Sequence, residues 1–298
     1  SFAGYRLLPA FRDIFKNLTQ LRFSLPSLDT LYDDLTLMEQ QIPITTTSQT
    51  LHLQESITLE DVTYRYPGAE AMALSGINLT IPAGKSVGFV GSTGAGKSTA
   101  VDIILGLLTP AQGRVLIDGQ PLEAHCITAW QRTLGYVPQV IYLTDDTVAA
   151  NIAFGIPKEQ IDQQALVRAA RAAHIDEFIT RELPYGYDTE IGERGIRLSG
   201  GERQRLAIAR ALYHDPDVVV FDEATSALDN VTEKVVMEAI KDLHGSKTVI
   251  LIAHRLPTVR NCDRIFLLEQ GRLVGEGSYD ELAGSNAGFQ RFTRATGV

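Results

Sequence analysis

Gly91-Ser92-Thr93-Gly94-Ala95-Gly96-Lys97-Ser98-Thr99 sets glycines, a lysine and small side chains (Ser, Thr, Ala) directly behind the apolar run Ser86–Val90. Glycines let a backbone wrap closely around an anion, and successive N–H groups then point inward at it. A helix beginning near Lys97 would add the positive end of its dipole. Strand, loop and helix in this order spell a phosphate-binding loop. Lys97 is expected to contact the β- and γ-phosphates of a nucleotide, a charge-assisted bond worth ~1.5–3 kcal/mol. Ser98 is expected to ligate Mg2+.

Val218-Val219-Val220-Phe221-Asp222 reads as a buried strand ending in a carboxylate, and Glu223 follows at once. Asp222 is expected to hold Mg2+ through water. Glu223 can face a water aligned on the γ-phosphate, and a positioned base of this kind is worth about 10²–10⁴-fold in rate. Upstream, Leu198-Ser199-Gly200-Gly201-Glu202-Arg203-Gln204-Arg205 opens a helix with a serine and two glycines, a second dipole end with exposed N–H groups. Alone this would be an ordinary cap; its place shortly before Asp222 gives it weight.

The elements that must hold these residues follow from periodicity. Residues 1–24 repeat Leu7, Leu8, Phe11, Ile14, Phe15, Leu18 and Leu21 at helical spacing. Such a helix would reach ~35 Å, and Pro26 is expected to end it. A second helix should carry Leu28, Leu31, Tyr32 and Leu35 on one face. Gln41–Glu55 reads as a linker. This segment either packs on the main domain as a hairpin or continues from something outside the chain, the reading favoured here. From Ile57 onward, β-rich runs (Ile57–Tyr66, Ile77–Ile81, Ser86–Val90, Arg114–Ile117) predict strands, the first of them in a small antiparallel sheet. A helical middle spans Thr147–Tyr213. Strands and helices then alternate: Val218–Phe221, a helix from Asn230, Thr248–Ile252, Arg264–Leu268 and Arg272–Val274. Alternation implies a mainly parallel sheet covered by helices.

The chain has 298 residues, 44% hydrophobic and 21% charged, with a formal net charge of −9. That composition is globular, and the acidic balance argues against a nucleic-acid partner. Cys126 and Cys262 have no metal-ligand spacing and are expected to be free thiols. No run of about 18 apolar residues is present and no secretory leader is expected. Ser1 is expected to mark a processed start or the edge of a fragment.

Tyr66, the loop Gly91–Ser98, Gln139 in Tyr136-Val137-Pro138-Gln139, Leu198–Glu202, Phe221–Glu223, Ser226-Ala227-Leu228-Asp229 and His254 occur in the order of an ATP-binding-cassette domain, and the chain resembles that family over residues 56–298. The resemblance implies an α/β fold. Its parts are a P-loop NTPase cassette with a RecA-type core, a small antiparallel β-subdomain, a helical subdomain near residues 140–213, and a helical N-terminal extension over residues 1–55. It implies that Tyr66 stacks on adenine, with Tyr64 as the neighbouring core residue. It makes Gln139 a ligand of Mg2+ and of the attacking water, and His254 a partner of the γ-phosphate that steadies Glu223. His52, His125, His174, His214 and His244 receive no role.

By the same resemblance, Ser199, Gly200, Gly201 and Glu202 face the nucleotide of another subunit, with Ser199 and Gly201 on its γ-phosphate. Asp229 runs along the interface, and a second copy of the chain pairs head to tail around two ATP molecules. Thr189–Gly195 resembles the cross-linking loop of exporters. Tyr5–Pro9 and Leu28–Tyr32 are similar to exporters of lipid-linked sugars and polysaccharides. The implied protein is a transport-coupled ATPase at the cytoplasmic face of the inner membrane, its membrane domain expected upstream. The alternatives are a soluble ATPase of this class in DNA repair or translation, and the separate ATPase subunit of an importer. Against the first stand the single cassette, the acidic charge and the absence of a long coiled coil between Lys97 and Asp222. The N-terminal segment and Thr189–Gly195 disfavour the second.

Overall fold

The structure is a computed structural model that describes residues 2–41, 50–192, 195, 198–223, 230–253 and 256–295. The chain divides into two compact units, Ser1–Thr46 and Thr47–Val298.

In the first unit a single helix, α1, runs Phe2–Gln41 with Pro9 and Pro26 inside it. The expected break at Pro26 does not occur. A proline removes one rung and kinks a helix more readily than it ends one. Thr30 Oγ1 donates to the Pro26 carbonyl at 2.9 Å within the next turn. Within this unit Leu7, Leu8, Phe11, Ile14, Phe15, Leu18 and Leu21 are all exposed, as are Leu28, Leu31 and Leu35. No described helix is long and apolar enough to cross a membrane.

The second unit contains two sheets. The smaller is antiparallel, in the order β2 (Leu74–Pro82), β1 (Ser56–Tyr64), β4 (Gln112–Ile117), β5 (Gln120–Pro121). The larger has the order β10 (Arg272–Gly277), β9 (Arg264–Glu269), β3 (Ser86–Val90), β8 (Thr248–Ile252), β7 (Val218–Asp222), β6 (Leu134–Val137). It is parallel apart from β10, which returns antiparallel on β9.

The continuous apolar strands have a simple cause. Successive side chains leave a strand on opposite faces, and this sheet is covered on both, so every position must be apolar. Val218 and Val220 enter one core with Phe89, Ile250, Ile252 and Phe266; the helix α2 (Lys97–Ile104) and the small sheet lie on that side. Val219 and Phe221 enter the other core, with Val90, Val249 and Leu251, beneath α4 (Val148–Ile152), α5 (Gln163–Ala172), α6 (Asp176–Arg181) and α7 (Gly200–Leu212). Between α2 and β6, α3 (Ile127–Gln131) contributes Trp130, which is fully buried and donates from Nε1 to the Ile104 carbonyl at 2.8 Å, anchoring the end of α2. The remaining helices are α8 (Asn230–Asp242), α9 (Leu256–Val259), α10 (Tyr279–Ser285) and α11 (Ala287–Ala295).

Strand β6 was not separated out by the sequence pattern, and it is the element that matters most for position. Its register sets Tyr136 against Val220 and Val137 against Phe221. The segment Tyr136–Gln139 is thereby delivered to the carboxylate end of β7. Parallel sheets bind ligands beyond the C-terminal ends of their strands, and β3, β7 and β6 all end at one place.

Candidate nucleotide site

The phosphate loop leaves β3 and enters α2. Gly91 has φ +148, and a Cβ there would meet the Leu268 carbonyl oxygen at 2.2 Å, so no other residue fits without moving β9. Gly96 is the N-cap of α2 with φ 99 and no side-chain cap, so the first amides of the helix stay open for an anion. Ala95 N–H donates to the Ser92 carbonyl at 3.1 Å, which curls the loop. Lys97 is buried and donates from Nζ to the carbonyls of Gly91 at 2.9 Å and Ser92 at 3.0 Å. An ammonium has three donors, so one remains for a phosphate oxygen. Burial lowers the Lys97 pKa, opposed by the negative charges of Glu223 and then Asp222. Thr93, Gly94 and Ser98 are exposed at the mouth of the loop.

Tyr66 lies at the rim. Its hydroxyl pairs with Thr99 Oγ1 at 3.1 Å, and its ring meets Tyr64 edge-on with centroids 5.1 Å apart. Tyr64 belongs to β1 and packs against the core, whereas Tyr66 is 43% exposed beside the first turn of α2. The stacking surface is therefore available on Tyr66.

Two carboxylates stand opposite Lys97, and each receives a donor from the segment that begins in β6. Gln139 Nε2 donates to Glu223 Oε2 at 2.7 Å. Tyr136 Oη donates to Asp222 Oδ2 at 3.1 Å. Burial raises the Tyr136 pKa, reinforced by the charge and the acceptor of Asp222. Asp102 on α2 is also raised, first by burial and then by the Asp222 charge. Glu223 sits at φ 49, in the left-handed region, and its N–H donates to the Ile252 carbonyl at 3.0 Å. Left-handed backbone in a non-glycine residue is uncommon and clusters at functional sites.

Ser199, Gly200, Gly201 and Glu202 form the start of α7, away from the phosphate loop in sequence and built as a reciprocal cap. Ser199 Oγ accepts from the Glu202 N–H at 3.3 Å, and Glu202 Oε2 accepts from the Ser199 N–H at 2.7 Å. The cap uses a lone pair of the Ser199 hydroxyl and leaves its proton free to be donated. Glu202 is thus the brace of this end, since a carboxylate cannot itself accept an anionic phosphate.

Among the described residues no three His, Cys, Asp or Glu side chains converge as a metal cluster. A Mg2+ ion takes few protein ligands and completes its shell with water and phosphate oxygens. The exposed Ser98 hydroxyl, the Asp222 carboxylate and the Gln139 carboxamide supply the hard oxygen donors such a shared site needs. His254 and Asp229 lie outside the described residues, as do Ser226, Ala227, Leu228, Glu193 and Arg194. Tyr136 and Asp102 were missed by sequence reasoning. Tyr136 was legible only as part of the motif carrying Gln139, and Asp102 carried no signal beyond its place in α2.

Fold and site together define a P-loop ATPase cassette. The chain belongs to the ABC transporter family, whose family model matches residues 74–226. Among curated proteins it is 42% identical over 244 residues to the ATP-dependent lipid A-core flippase of Cupriavidus metallidurans, covering 80% of this chain and 41% of that protein. It is 45% identical over 226 residues to the flippase of the same name from Chromobacterium violaceum, covering 76% and 38%. It is 42% identical over 230 residues to the heterocyst differentiation ATP-binding protein HepA of a Nostoc species, covering 77% and 37%. The chain thus spans less than half the length of these relatives. A solved bacterial Atm1-family ABC exporter with ATP bound superposes with a TM-score of 0.79 at 36% identity, covering 91% of this chain and 47% of that one.

Proposed function

We propose that this cassette is the motor of a membrane exporter whose cargo is a lipid, glycolipid or lipid-linked saccharide. The observation that carries the motor reading is the Gln139–Glu223 bond set against the buried Lys97 and the open start of α2. A triphosphate in the loop would take the amides of Gly94 and Gly96–Thr99, the third Lys97 donor and the Tyr66 ring. Ser98, Asp222 and Gln139 would hold a Mg2+ ion, whose charge would offset that of the phosphates. Glu223 accepts a proton from the attacking water, and Gln139 fixes the carboxylate that does so. His254 contributes a further contact to the γ-phosphate.

The braced start of α7 is suited to a second nucleotide, held by a partner copy, with Ser199 and Gly201 on its γ-phosphate and Asp229 along the interface. Hydrolysis removes the anion that both copies grip, so closure and opening follow nucleotide state. The exposed Val140, Tyr142 and Phe154 form an apolar surface for a membrane domain. Arg210 stiffens it: its guanidinium stacks 4.8 Å over Phe154 and donates to the Tyr142 carbonyl at 2.8 Å. This surface and the loop Thr189–Gly195 would face the cytoplasmic side of the inner membrane, with the membrane domain fused upstream. The flippase names of the relatives support an amphiphilic cargo.

The test is the solution mass of the Glu223→Gln protein with Mg-ATP and with Mg-ADP. A dimer with ATP and a monomer with ADP is expected. A monomer in both, with ATP demonstrably bound, would overturn the symmetric pair.

A further inference from the structure

We propose that Tyr136 is a positioning residue for the cation site, its hydroxyl holding Asp222 so that the second carboxylate oxygen faces the ion's water shell. The inference rests on the reading of Asp222 as the carboxylate of the Mg2+ site.

The geometry is a pair of clamps. One short segment sends Tyr136 to Asp222 and Gln139 to Glu223, so two adjacent carboxylates each receive one donor from the same stretch of chain. The terminal torsion of an aspartate is broad. Nothing in β7 itself fixes the Asp222 carboxylate, because its strand hydrogen bonds are made by the backbone. Among the described residues, Tyr136 makes the one hydrogen bond that this carboxylate accepts. The clamp has a backbone origin, since β6 pairs with β7 in parallel and Tyr136 lies opposite Val220, two residues short of Asp222.

The choice of a phenol also has a reason. An arginine or lysine at this position would fix the carboxylate but neutralise it. A neutral O–H donor takes one oxygen and leaves the full negative charge for a cation. Glu223 and Asp102 add like charge nearby, and unclamped carboxylates repel one another. A fixed Asp222 therefore presents one oxygen in one direction, the arrangement that supporting hydrogen bonds give to metal-binding carboxylates.

Mn2+ serves as the probe, followed by electron paramagnetic resonance with the whole chain and a non-hydrolysable ATP analogue. Tyr136→Phe keeps the ring and removes only the donor. It is expected to weaken Mn2+ retention about tenfold and to broaden the bound-ion spectrum, while analogue affinity in the absence of metal stays at the wild-type value. Asp222→Asn is run alongside. If Asp222→Asn loosens Mn2+ and Tyr136→Phe does not, the positioning role is overturned while the cation reading stands. If Asp222→Asn also leaves Mn2+ retention unchanged, the cation reading fails and the inference with it. Loss of metal-free analogue binding in Tyr136→Phe would equally overturn it, by showing that the hydroxyl supports the loop rather than the ion.

Discussion

Gln139 holds Glu223 at 2.7 Å through a carboxamide N–H, across two strands that the sequence keeps far apart. The bond holds the carboxylate proposed as the base before any nucleotide arrives. Removing the carboxylate and removing its clamp should therefore give different defects. Glu223→Gln is expected to bind ATP and to lose about 10²–10⁴-fold in kcat. Gln139→Ala should lose less, with kcat falling more than ATP affinity. Steady-state phosphate release together with equilibrium nucleotide binding separates the two, and wild-type turnover in Glu223→Gln would refute its role as base.

Lys97 is buried with two of its donors on loop carbonyls. Lys97→Ala is expected to abolish useful ATP binding and to loosen the loop, because the Gly91 and Ser92 carbonyls lose their shared donor. Fluorescent-nucleotide titration checks the first effect. Faster amide exchange at residues 91–96 checks the second.

The reciprocal cap at the start of α7 can be tested without nucleotide. Glu202→Ala leaves the Ser199 N–H without its acceptor and should cost ~0.5–2 kcal/mol of stability, as cap removal generally does. A shift of the thermal or urea midpoint reads it directly. Full stability in this variant would show that the cap is dispensable to the fold.

Asp263 gives a pH dependence with a definite sign. Burial pushes its pKa up, but hydrogen bonds from Ser86 and His244 outweigh burial and bring it down to about 2. The Ser86 N–H and the His244 ring both lie 2.8 Å from Oδ2. An unfolded aspartate titrates near ~3.9. The depressed folded value therefore adds stability that is fully present above that pH and is lost as pH falls toward 2. Asp263→Asn should flatten the acid limb of the stability curve in that window, as measured by urea unfolding at stepped pH.

The phosphate loop and the Asp222–Glu223 strand end were legible because their constraints are local. Glycine torsions and a strand covered on both faces leave direct marks in the residue order. Tyr66 was separable from Tyr64 only by the proline after it; in the structure Tyr66 is exposed and its hydroxyl pairs with Thr99. Strand β6 was not legible, because Leu134-Gly135-Tyr136-Val137 is short and owes its conformation to the neighbouring β7. The continuity of α1 through Pro26 was misjudged because one missing rung was weighed as a stop. The Tyr136–Asp222 contact depends on register between distant strands, which no local pattern encodes.

Glu223 occupies a left-handed backbone conformation that glycine or asparagine would adopt more easily. Strain of this kind costs on the order of 1–3 kcal/mol. A library at position 223 selected for heat resistance alone should therefore enrich Gly and Asn, and every winner would lack the carboxylate proposed as the base. Selection for stability and selection for turnover pull in opposite directions at this one residue, so any thermostabilised version of the chain must hold Glu223 fixed by design.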